Sequence, residues 1–362
     1  MLVHICCSVD SHFFLQKLHQ QFPHEHLIGF FYDPNIHPYS EYQLRLLDVQ
    51  RSCQKLGIPL HIGEYDYKGW LEAVRGLENE PEKGKRCYVC FDNRLEKTAL
   101  KALELGEKVI TTTLLTSPKK SIESLQKSLE QIVGTYGLEM VAPDFRKGGG
   151  TSEQFLMAKE ARLYHQDYCG CLFALQVQRE QQHRLQDELC SPCPFQVLPS
   201  SIEERIALYK KVMQCEEQMT PFRLRREKFL NYRLQRAWVK NSCKEVVPSF
   251  FLFYSVLKRE YIKGKVEFID GGKGYFSKEE VYLLSLAYFN ELTQSTYLNV
   301  KEMLRKPPPI EIEIACRQAL IGSVVLSLSP IIIVDEIQLE PYEIYAISKT
   351  YQDIRENLVL IG

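Results

Sequence analysis

Three close pairs of cysteines in the first half of the sequence can act as metal ligands, because thiolates bind zinc and iron. The pairs are Cys6 and Cys7, Cys87 and Cys90 in "RCYVC", and Cys169 and Cys171 in "YCGC". Asp10, three residues after the first pair, adds a carboxylate. The chain has 12 cysteines, and in a reducing compartment such cysteines are rarely joined in disulfides. We therefore interpret these seven side chains as candidate metal ligands.

Two metal chemistries compete for the seven ligands. Structural zinc takes four ligands in a closed tetrahedron, and the C-x-x-C spacing of Cys87 and Cys90 suits it, but seven ligands overfill one zinc site. Four thiolates hold a [4Fe-4S] cluster, which leaves two thiolates and the carboxylate for a second metal. An incomplete ligand shell keeps one coordination position open, as catalysis requires. A chance grouping of thiols is the third interpretation, and three pairs in one domain argue against it.

The remaining cysteines carry less information. Cys53, Cys215, Cys243 and Cys316 each stand alone in the sequence. A lone cysteine is usually a small buried hydrophobic residue. We expect these four to pack in the core rather than to bind metal.

Strand-like and helical segments alternate over the first half of the chain. The strand-like segments are "MLVHICC", "HLIGFFYDPN", "PLHIGEYD", "KVITTTLL" and "LEMVAP". Between them we predict a helix capped by Ser40 and ended by Gly57, a helix from "RCYVC" to Gly106, and a helix capped by Ser117 with Pro118 in its first position. This order predicts an α/β fold, a Rossmann-like parallel sheet with helices on both faces.

Ligands of such sheets bind beyond the carboxyl ends of the strands, which places the candidate site. The residues near these strand ends are Cys6, Cys7, Thr111 to Thr113, Asp144, Arg146 and Lys147. The helices that carry the two later cysteine pairs can reach the same edge. We therefore expect the cysteine pairs to meet there.

Length and composition are those of an ordinary globular protein. The chain has 362 residues, 45% hydrophobic and 25% charged, with a formal net charge of -1. Such a charge gives no overall indication of a nucleic-acid partner, although local basic patches still can. The start of the chain has no signal-peptide pattern, and no apolar run is long enough to cross a membrane. We expect a cytoplasmic protein with no membrane partner.

The pattern changes after about residue 182. We predict a metal-binding catalytic domain over residues 1–182, a linker over 183–199 and a C-terminal α+β domain over 200–362, in which 200–245 are helical. The linker contains Cys190 and Cys193 in "CSPC". An extra metal or redox pair there is one interpretation, and chance cysteines in a proline-rich linker are the favoured one.

The first half of the chain resembles the QueH family of epoxyqueuosine reductases, the type that does not use cobalamin. The resemblance covers residues 1 to about 175 and is carried by "HICCSVD", "FYDPNIHPYSEYQLR", "RCYVCFDNRLEKTA", "TTTLLTSPKK", "DFRKGGGTSEQFLMAKE" and "LYHQDYCGCLFA". It implies a [4Fe-4S] cluster and a neighbouring mononuclear iron, with ligand roles for the six paired cysteines and Asp10. Many relatives have cysteine in place of Asp10 and arginine in place of His165.

The resemblance also implies a reaction and its partners. Epoxyqueuosine at the wobble position of a tRNA anticodon would lose its epoxide oxygen in a two-electron, two-proton reduction. The cluster would pass single electrons, and the open iron, held in part by Asp10, would polarise the epoxide oxygen. Asp144, Tyr168 and His37 are candidate proton donors. An external ferredoxin- or flavodoxin-like protein would supply electrons, because no flavin or nicotinamide motif is present.

A tRNA substrate requires positive charge and stacking surfaces. Candidate contacts in or near the motifs are Arg86, Arg94, Lys119, Lys120, Arg146, Lys147 and Lys159. Residues 221–244 add eight Lys or Arg and one Glu, interleaved with four aromatic residues. This segment predicts either an added tRNA contact or an amphipathic helix with a solvated basic face.

Two other functions remain open. The topology is related to the PP-loop layout of ATP-using tRNA thiolation enzymes, and "CCSVDS" stands where their "SGGxDS" loop would be. The two glycines that let that backbone approach a pyrophosphate are missing. A zinc-stabilised RNA-binding module is the third possibility. ATP binding would favour the thiolation enzyme. Zinc without iron or sulfide would favour the RNA-binding module.

Overall fold

The computed structural model describes residues 1–118, 120–190, 196–277, 281–322 and 327–361. Its internal contacts divide the chain into two compact units. The N-terminal unit comprises Met1–Gln186, Arg205–Leu224 and Leu358–Gly362, and the C-terminal unit comprises Asp187–Glu204 and Arg225–Asn357. The chain first passes between the units inside the predicted linker 183–199, whose role stays a prediction.

A five-stranded parallel sheet forms the centre of the N-terminal unit, which confirms the predicted Rossmann-like fold. Its strands are β1 Leu2–Ile5, β2 Ile28–Phe31, β3 Leu60–Ile62, β4 Val109–Thr112 and β5 Glu139–Met140. They lie in the order β3-β2-β1-β4-β5, and every pair is parallel. The strand order reverses between β1 and β4, where such sheets bind their ligands.

Helices connect these strands, and two more helices follow the last strand. They are α1 Ser8–Gln21, α2 Tyr39–Leu56, α3 Tyr67–Ala73, α4 Lys85–Leu105, α5 Ile122–Tyr136, α6 Gly150–Glu160 and α7 Leu172–Gln181. Gly57 and Gly106 end α2 and α4 in the left-handed conformation, as predicted. The short helix α3 was not predicted.

Two predicted helix starts are wrong. Pro38, rather than Ser40, occupies the cap position of α2. Ser121, rather than Ser117, caps α5 by accepting a hydrogen bond from the Ser124 N–H at 3.3 Å. The chain after β4 first makes a 3-10 turn over Thr113–Thr116, which delays the start of α5.

The central strand β1 is buried on both faces, as expected of a parallel strand between helical layers. Its one polar residue, His4, is satisfied inside the core. One ring nitrogen lies 2.8 Å from Thr112 Oγ1 and the other 3.1 Å from the Tyr32 carbonyl. This contact joins β1 to β4 and to the loop after β2.

The remaining elements include a second, mostly antiparallel sheet. They are α8 Ile202–Glu217, β6 Phe222–Lys240, β7 Val246–Val247, β8 Ser249–Phe251, β9 Tyr261–Asp270, β10 Lys273–Phe276, β11 Tyr282–Ser285, α9 Leu286–Thr293, α10 Val300–Arg305, α11 Ile310–Ile321, β12 Ile331–Val334 and β13 Pro341–Leu360. The strand order is β7-β6-β13-β9-β10-β11-β12-β8, with β11 and β12 parallel. This sheet and its helices confirm an α+β C-terminal region.

The prediction that residues 200–245 are all helical is wrong. Helix α8 is present, but residues 222–240 form the 19-residue strand β6. Basic and apolar residues alternate only in short stretches such as Arg223-Leu224-Arg225, and the charged run from Arg225 to Lys228 interrupts this strand pattern. The local pattern therefore did not distinguish the strand from a helix.

A buried ion pair supports the N-terminal unit behind the sheet. Asp48 is fully buried and accepts hydrogen bonds from Arg51 at 2.5 Å, from the Tyr164 N–H at 2.7 Å and from the Ser8 hydroxyl. Arg51 is also buried and forms two hydrogen bonds with Glu216 of α8.

We expect Arg51→Met to lower the free energy of unfolding by about 3–5 kcal/mol, because it leaves the buried Asp48 carboxylate without its cation. Lys55→Met is the matched control. Lys55 contacts the same Glu216 at 2.9 Å but is more exposed, so its loss should cost less than about 1 kcal/mol. Urea unfolding measures both values, and equal effects would contradict the assigned role of Arg51.

Among the described residues, no helix combines the length and the apolar character needed to cross a membrane.

Candidate metal centre and active site

The amino ends of three helices meet at one cavity of the N-terminal unit. Cys7 is the cap residue of α1, Cys171 is the cap residue of α7, and Cys87 and Cys90 lie in the first two turns of α4. Helix amino termini carry partial positive charge, which favours thiolates over thiols. The local fold therefore gathers these cysteines at one cavity.

All seven predicted ligands line this cavity, which lies at the carboxyl ends of β1 and β4. They are Cys6, Cys7, Asp10, Cys87, Cys90, Cys169 and Cys171. The cavity has about 610 Å³ of space free of protein atoms, part of it open to solvent. Residues up to 165 positions apart in the chain thus reach one site.

The first ligand group consists of Cys6, Cys7 and Asp10, whose ligand atoms all lie within 4.8 Å of one another. Cys6 Sγ lies 3.9 Å from Cys7 Sγ and 3.7 Å from Asp10 Oδ2. The Gln154 amide of α6 donates to Asp10 Oδ1 at 2.7 Å and fixes the carboxylate. Burial raises the pKa of Asp10 to about 6, although these hydrogen bonds oppose the rise.

The second group consists of Cys87, Cys90, Cys169 and Cys171. A hydrogen bond between Cys169 and Cys171 holds the pKa of Cys169 well below its usual value and raises that of Cys171. Burial raises the pKa of Cys90. Four thiols in one cavity supply the complete donor set of a [4Fe-4S] cluster.

Lys120 brings a positive charge to the second group. Burial lowers the pKa of Lys120, but the charges of Cys169, Cys87 and Cys90 together outweigh burial and raise it. Its ammonium also lies 5.7 Å from the centre of the Phe91 ring. A cation in this position offsets part of the negative charge that several thiolates place in the cavity.

Two predicted tRNA contacts, Arg86 and Arg94, are interior residues. Arg86 is buried and donates to the carbonyls of Leu77, Glu78 and Glu80 at 3.3, 2.7 and 2.6 Å. Arg94 is buried and pairs with Asp33. Both line the cavity, where their contacts hold its wall.

The other predicted contacts lie nearer the surface. Arg146 donates to the carbonyls of Ser117 and Lys120 at 3.0 and 2.9 Å, which fixes the loop that presents Lys120. The Lys147 side chain is 83% exposed, and Lys159 is exposed on α6. Lys119 lies outside the described residues.

The structure does not bring the predicted proton donors to the cavity lining, as far as the described residues show. Asp144 pairs with Arg146 at 3.5 Å and with Lys147 at 3.7 Å. The buried Tyr168 hydroxyl donates to the His37 carbonyl at 2.8 Å, and the His37 ring stacks on Tyr67 at 4.9 Å.

Cys190 of the motif "CSPC" is not among the residues that line the cavity. Cys190 is half-buried, and burial raises its pKa. Cys193 lies outside the described residues. The favoured interpretation of this motif, chance cysteines in a linker, stays a prediction.

Several cavity residues were missed from sequence. Trp70, Asn35, Asp33 and Gln166 line the cavity, and Gln154 contacts Asp10 from behind. Their position within the motifs could have identified three of them, since Asp33 and Asn35 lie in "YDPN" and Gln166 lies in "HQDYCGC".

The fold and this site define an α/β protein with a cysteine-rich cavity at the point where the strand order reverses. Residues 1–177 match the family model described as epoxyqueuosine reductase QueH. Epoxyqueuosine reductase QueH of Helicobacter pylori is 42% identical over 353 residues, which cover 93% of this chain and 94% of that protein. The QueH of Thermotoga maritima is 35% identical over 50% of this chain and 92% of its own length. The chain belongs to the QueH family of epoxyqueuosine reductases.

The solved structures that resemble this chain do so only distantly. The U34-tRNA thiolase NcsA from Methanococcus maripaludis, with its [4Fe-4S] cluster, aligns with a TM-score of 0.33 at 17% identity, over 59% of this chain and 73% of that chain. A superposition of this quality carries no argument about function.

Proposed function

We propose that this epoxyqueuosine reductase performs its deoxygenation in the seven-ligand cavity, in the cytoplasm, on tRNA that carries epoxyqueuosine in its anticodon loop. The observation that carries the proposal is the convergence of all seven predicted ligands on one cavity. Cys87, Cys90, Cys169 and Cys171 would hold a [4Fe-4S] cluster. Cys6, Cys7 and Asp10 would hold a mononuclear iron.

The donor set supports this division. Four thiolates complete the ligand shell of a cubane cluster, and soft sulfur ligands favour such clusters. Two thiolates and one carboxylate within 4.8 Å leave an iron with open coordination positions. When bound, the two centres would supply electrons and a Lewis acid for removal of the epoxide oxygen.

The chain's own residues would prepare the cavity. Gln154 holds Asp10 in a fixed orientation through a 2.7 Å hydrogen bond. Trp70 is buried and packs in one apolar cluster with Cys90 and Cys171, which keeps water from one side of the thiolates. Lys120 offsets negative charge. An external ferredoxin- or flavodoxin-like protein would deliver the electrons.

Asp144 and Tyr168 have other roles in this proposal. Asp144 accepts a hydrogen bond from the Arg146 N–H at 3.2 Å and so shapes the loop after β5. Tyr168 ties the segment before Cys169 to His37. We propose that both position the cavity walls, and that the two protons that convert the epoxide oxygen into water come from solvent, to which part of the cavity is open.

The test is conversion by protein that has been purified anaerobically. An RNA stem-loop bearing epoxyqueuosine is incubated with the enzyme and a strong reductant, and nucleosides are identified by mass. The proposal predicts queuosine, with one oxygen atom lost from each epoxyqueuosine. Iron-loaded protein that leaves the nucleoside intact would contradict it.

Exposed lysines near the cavity are proposed to contact the tRNA backbone. We expect Lys147→Gln to weaken RNA binding and to lower the slope of log affinity against log salt by about 0.7–0.9, the value of one lost phosphate contact. Lys108→Gln is the control. Lys108 is exposed immediately before β4, at the amino ends of the strands, opposite the carboxyl ends where the cavity lies. Equal slopes for both variants would exclude Lys147 from the interface.

The strand β6 offers a second basic surface on the C-terminal unit. Arg225, Arg226 and Lys228 are exposed along it. Glu356 pairs with Arg226 at 2.9 Å and neutralises part of this charge. We propose that β6 adds a nonspecific contact to the tRNA backbone.

A further inference from the structure

Among the described residues, three acceptor side chains of the cavity wall have no hydrogen-bond partner. They are Asp33, through Oδ2, Asn35, through Oδ1, and Gln166, through Oε1. All three residues line the cavity with the metal ligands. Asp33 is 1% exposed and Asn35 is 2% exposed.

For two of these residues, the contacts of the other polar atom leave the named oxygen as the free acceptor. Asp33 uses its other oxygen, Oδ1, to pair with Arg94. Asn35 donates from its amide nitrogen to the Cys169 carbonyl at 3.5 Å, which leaves its oxygen on the unpaired side. Buried polar groups in folded proteins almost always have partners, water included, so these three acceptors are available to the donors of a ligand that displaces water from the cavity.

The substrate has matching donors. Epoxyqueuosine carries two hydroxyl groups on the same five-membered ring as the epoxide, and a secondary amine, protonated near neutral pH, joins that ring to the base. A site built to hydrogen-bond such groups rejects analogues that lack them, because its buried acceptors then stay unpaired.

We propose that Asp33, Asn35 and Gln166 bind the hydroxyl and ammonium groups of the epoxyqueuosine side chain and so determine which wobble nucleoside enters the cavity. This inference rests on the proposed function of the cavity. It assigns the three residues to substrate recognition, separate from the seven metal ligands. The exposed lysines would bind the RNA backbone, and this acceptor set would select the modified base.

The test uses Gln166→Met, which keeps the length of the side chain and removes the acceptor. We expect the dissociation constant for a stem-loop with epoxyqueuosine to rise about tenfold, as for one lost hydrogen bond to a charged or well-buried donor. For a stem-loop with unmodified guanosine at the wobble position, the dissociation constant of Gln166→Met should stay within about twofold of the wild-type value. Gln166→Glu restores an acceptor and should recover affinity relative to Gln166→Met. Asn35→Ser provides a second variant, with the same expected selectivity.

Three outcomes would overturn the inference. The first is unchanged binding of both stem-loops, and the second is equal weakening of both. The third is loss of iron or sulfide in Gln166→Met, which would assign the acceptors to the metal site. The wild-type enzyme separates this inference from the proposed function. If the wild type does not convert epoxyqueuosine, the function fails, and if it converts while Gln166→Met binds identically, only the inference fails.

Discussion

Replacing Cys87 with alanine is expected to lower conversion of epoxyqueuosine more than about a hundredfold and to release iron and sulfide from the protein. Even groups that only orient metal ligands change affinity or activity by about 10–100-fold, and Cys87 is proposed as a ligand itself. It lies in the first turn of α4 and lines the cavity. Cys169→Ala should have the same effect, because both cysteines belong to the second ligand group.

Cys53→Ala is the matched control for these variants. Cys53 is also a buried cysteine of the N-terminal unit, but it packs in the apolar core around β1 and is not part of the cavity lining. Its loss should leave iron content and conversion close to those of the wild type. The measurements are conversion by nucleoside mass, iron by elemental analysis and acid-labile sulfide. A Cys87→Ala enzyme with full activity and full iron would refute the ligand assignment.

Replacing Asp10 with asparagine is expected to remove about one iron per chain, to leave sulfide unchanged, and to lower conversion at least about a hundredfold. Asparagine keeps the shape of the side chain but loses the negative charge that an iron site requires. Asp10 is buried, and its ligand oxygen lies 3.7 Å from Cys6 Sγ. The four cysteines of the second group do not depend on it, so the cluster should remain.

Asp10→Cys tests whether the effect comes from ligation. A thiolate also binds iron, so this variant should regain iron and part of the activity that Asp10→Asn loses. Gln154→Leu gives an intermediate case, because it removes the 2.7 Å hydrogen bond to Asp10 but keeps the ligand. Loss of sulfide together with iron in Asp10→Asn would show that Asp10 serves the cluster, which contradicts the proposed division.

The parallel sheet and the position of the site were predictable because both depend on local patterns. Short apolar runs separated by capped helices specify the strands. The rule that ligands bind at carboxyl ends then places Cys6 and Cys7 at the reversal between β1 and β4. Family resemblance added the ligand roles of the later cysteines. The structure places all of them at one cavity.

Other features depend on tertiary contacts that spacing does not reveal. From sequence alone, Arg86 and Arg94 cannot be told from arginines that bind phosphates at the surface. In the structure, Arg86 donates hydrogen bonds to interior carbonyls and Arg94 pairs with Asp33. The proposed role of Asp33 and Asn35 in substrate binding becomes visible only when the hydrogen-bond partner of each side-chain oxygen is identified in the structure. The prediction for strand β6 was wrong for a different reason, because the charged run from Arg225 to Lys228 interrupts the alternation that is typical of a strand.

The most direct test of the central claim is the iron and acid-labile sulfide content of wild-type protein purified without oxygen. The seven ligands in one cavity predict about five iron and about four sulfide per chain. They also predict a brown protein and little zinc. A colourless protein with zinc and without sulfide would contradict the account, because the cavity would then hold a structural metal that cannot reduce an epoxide.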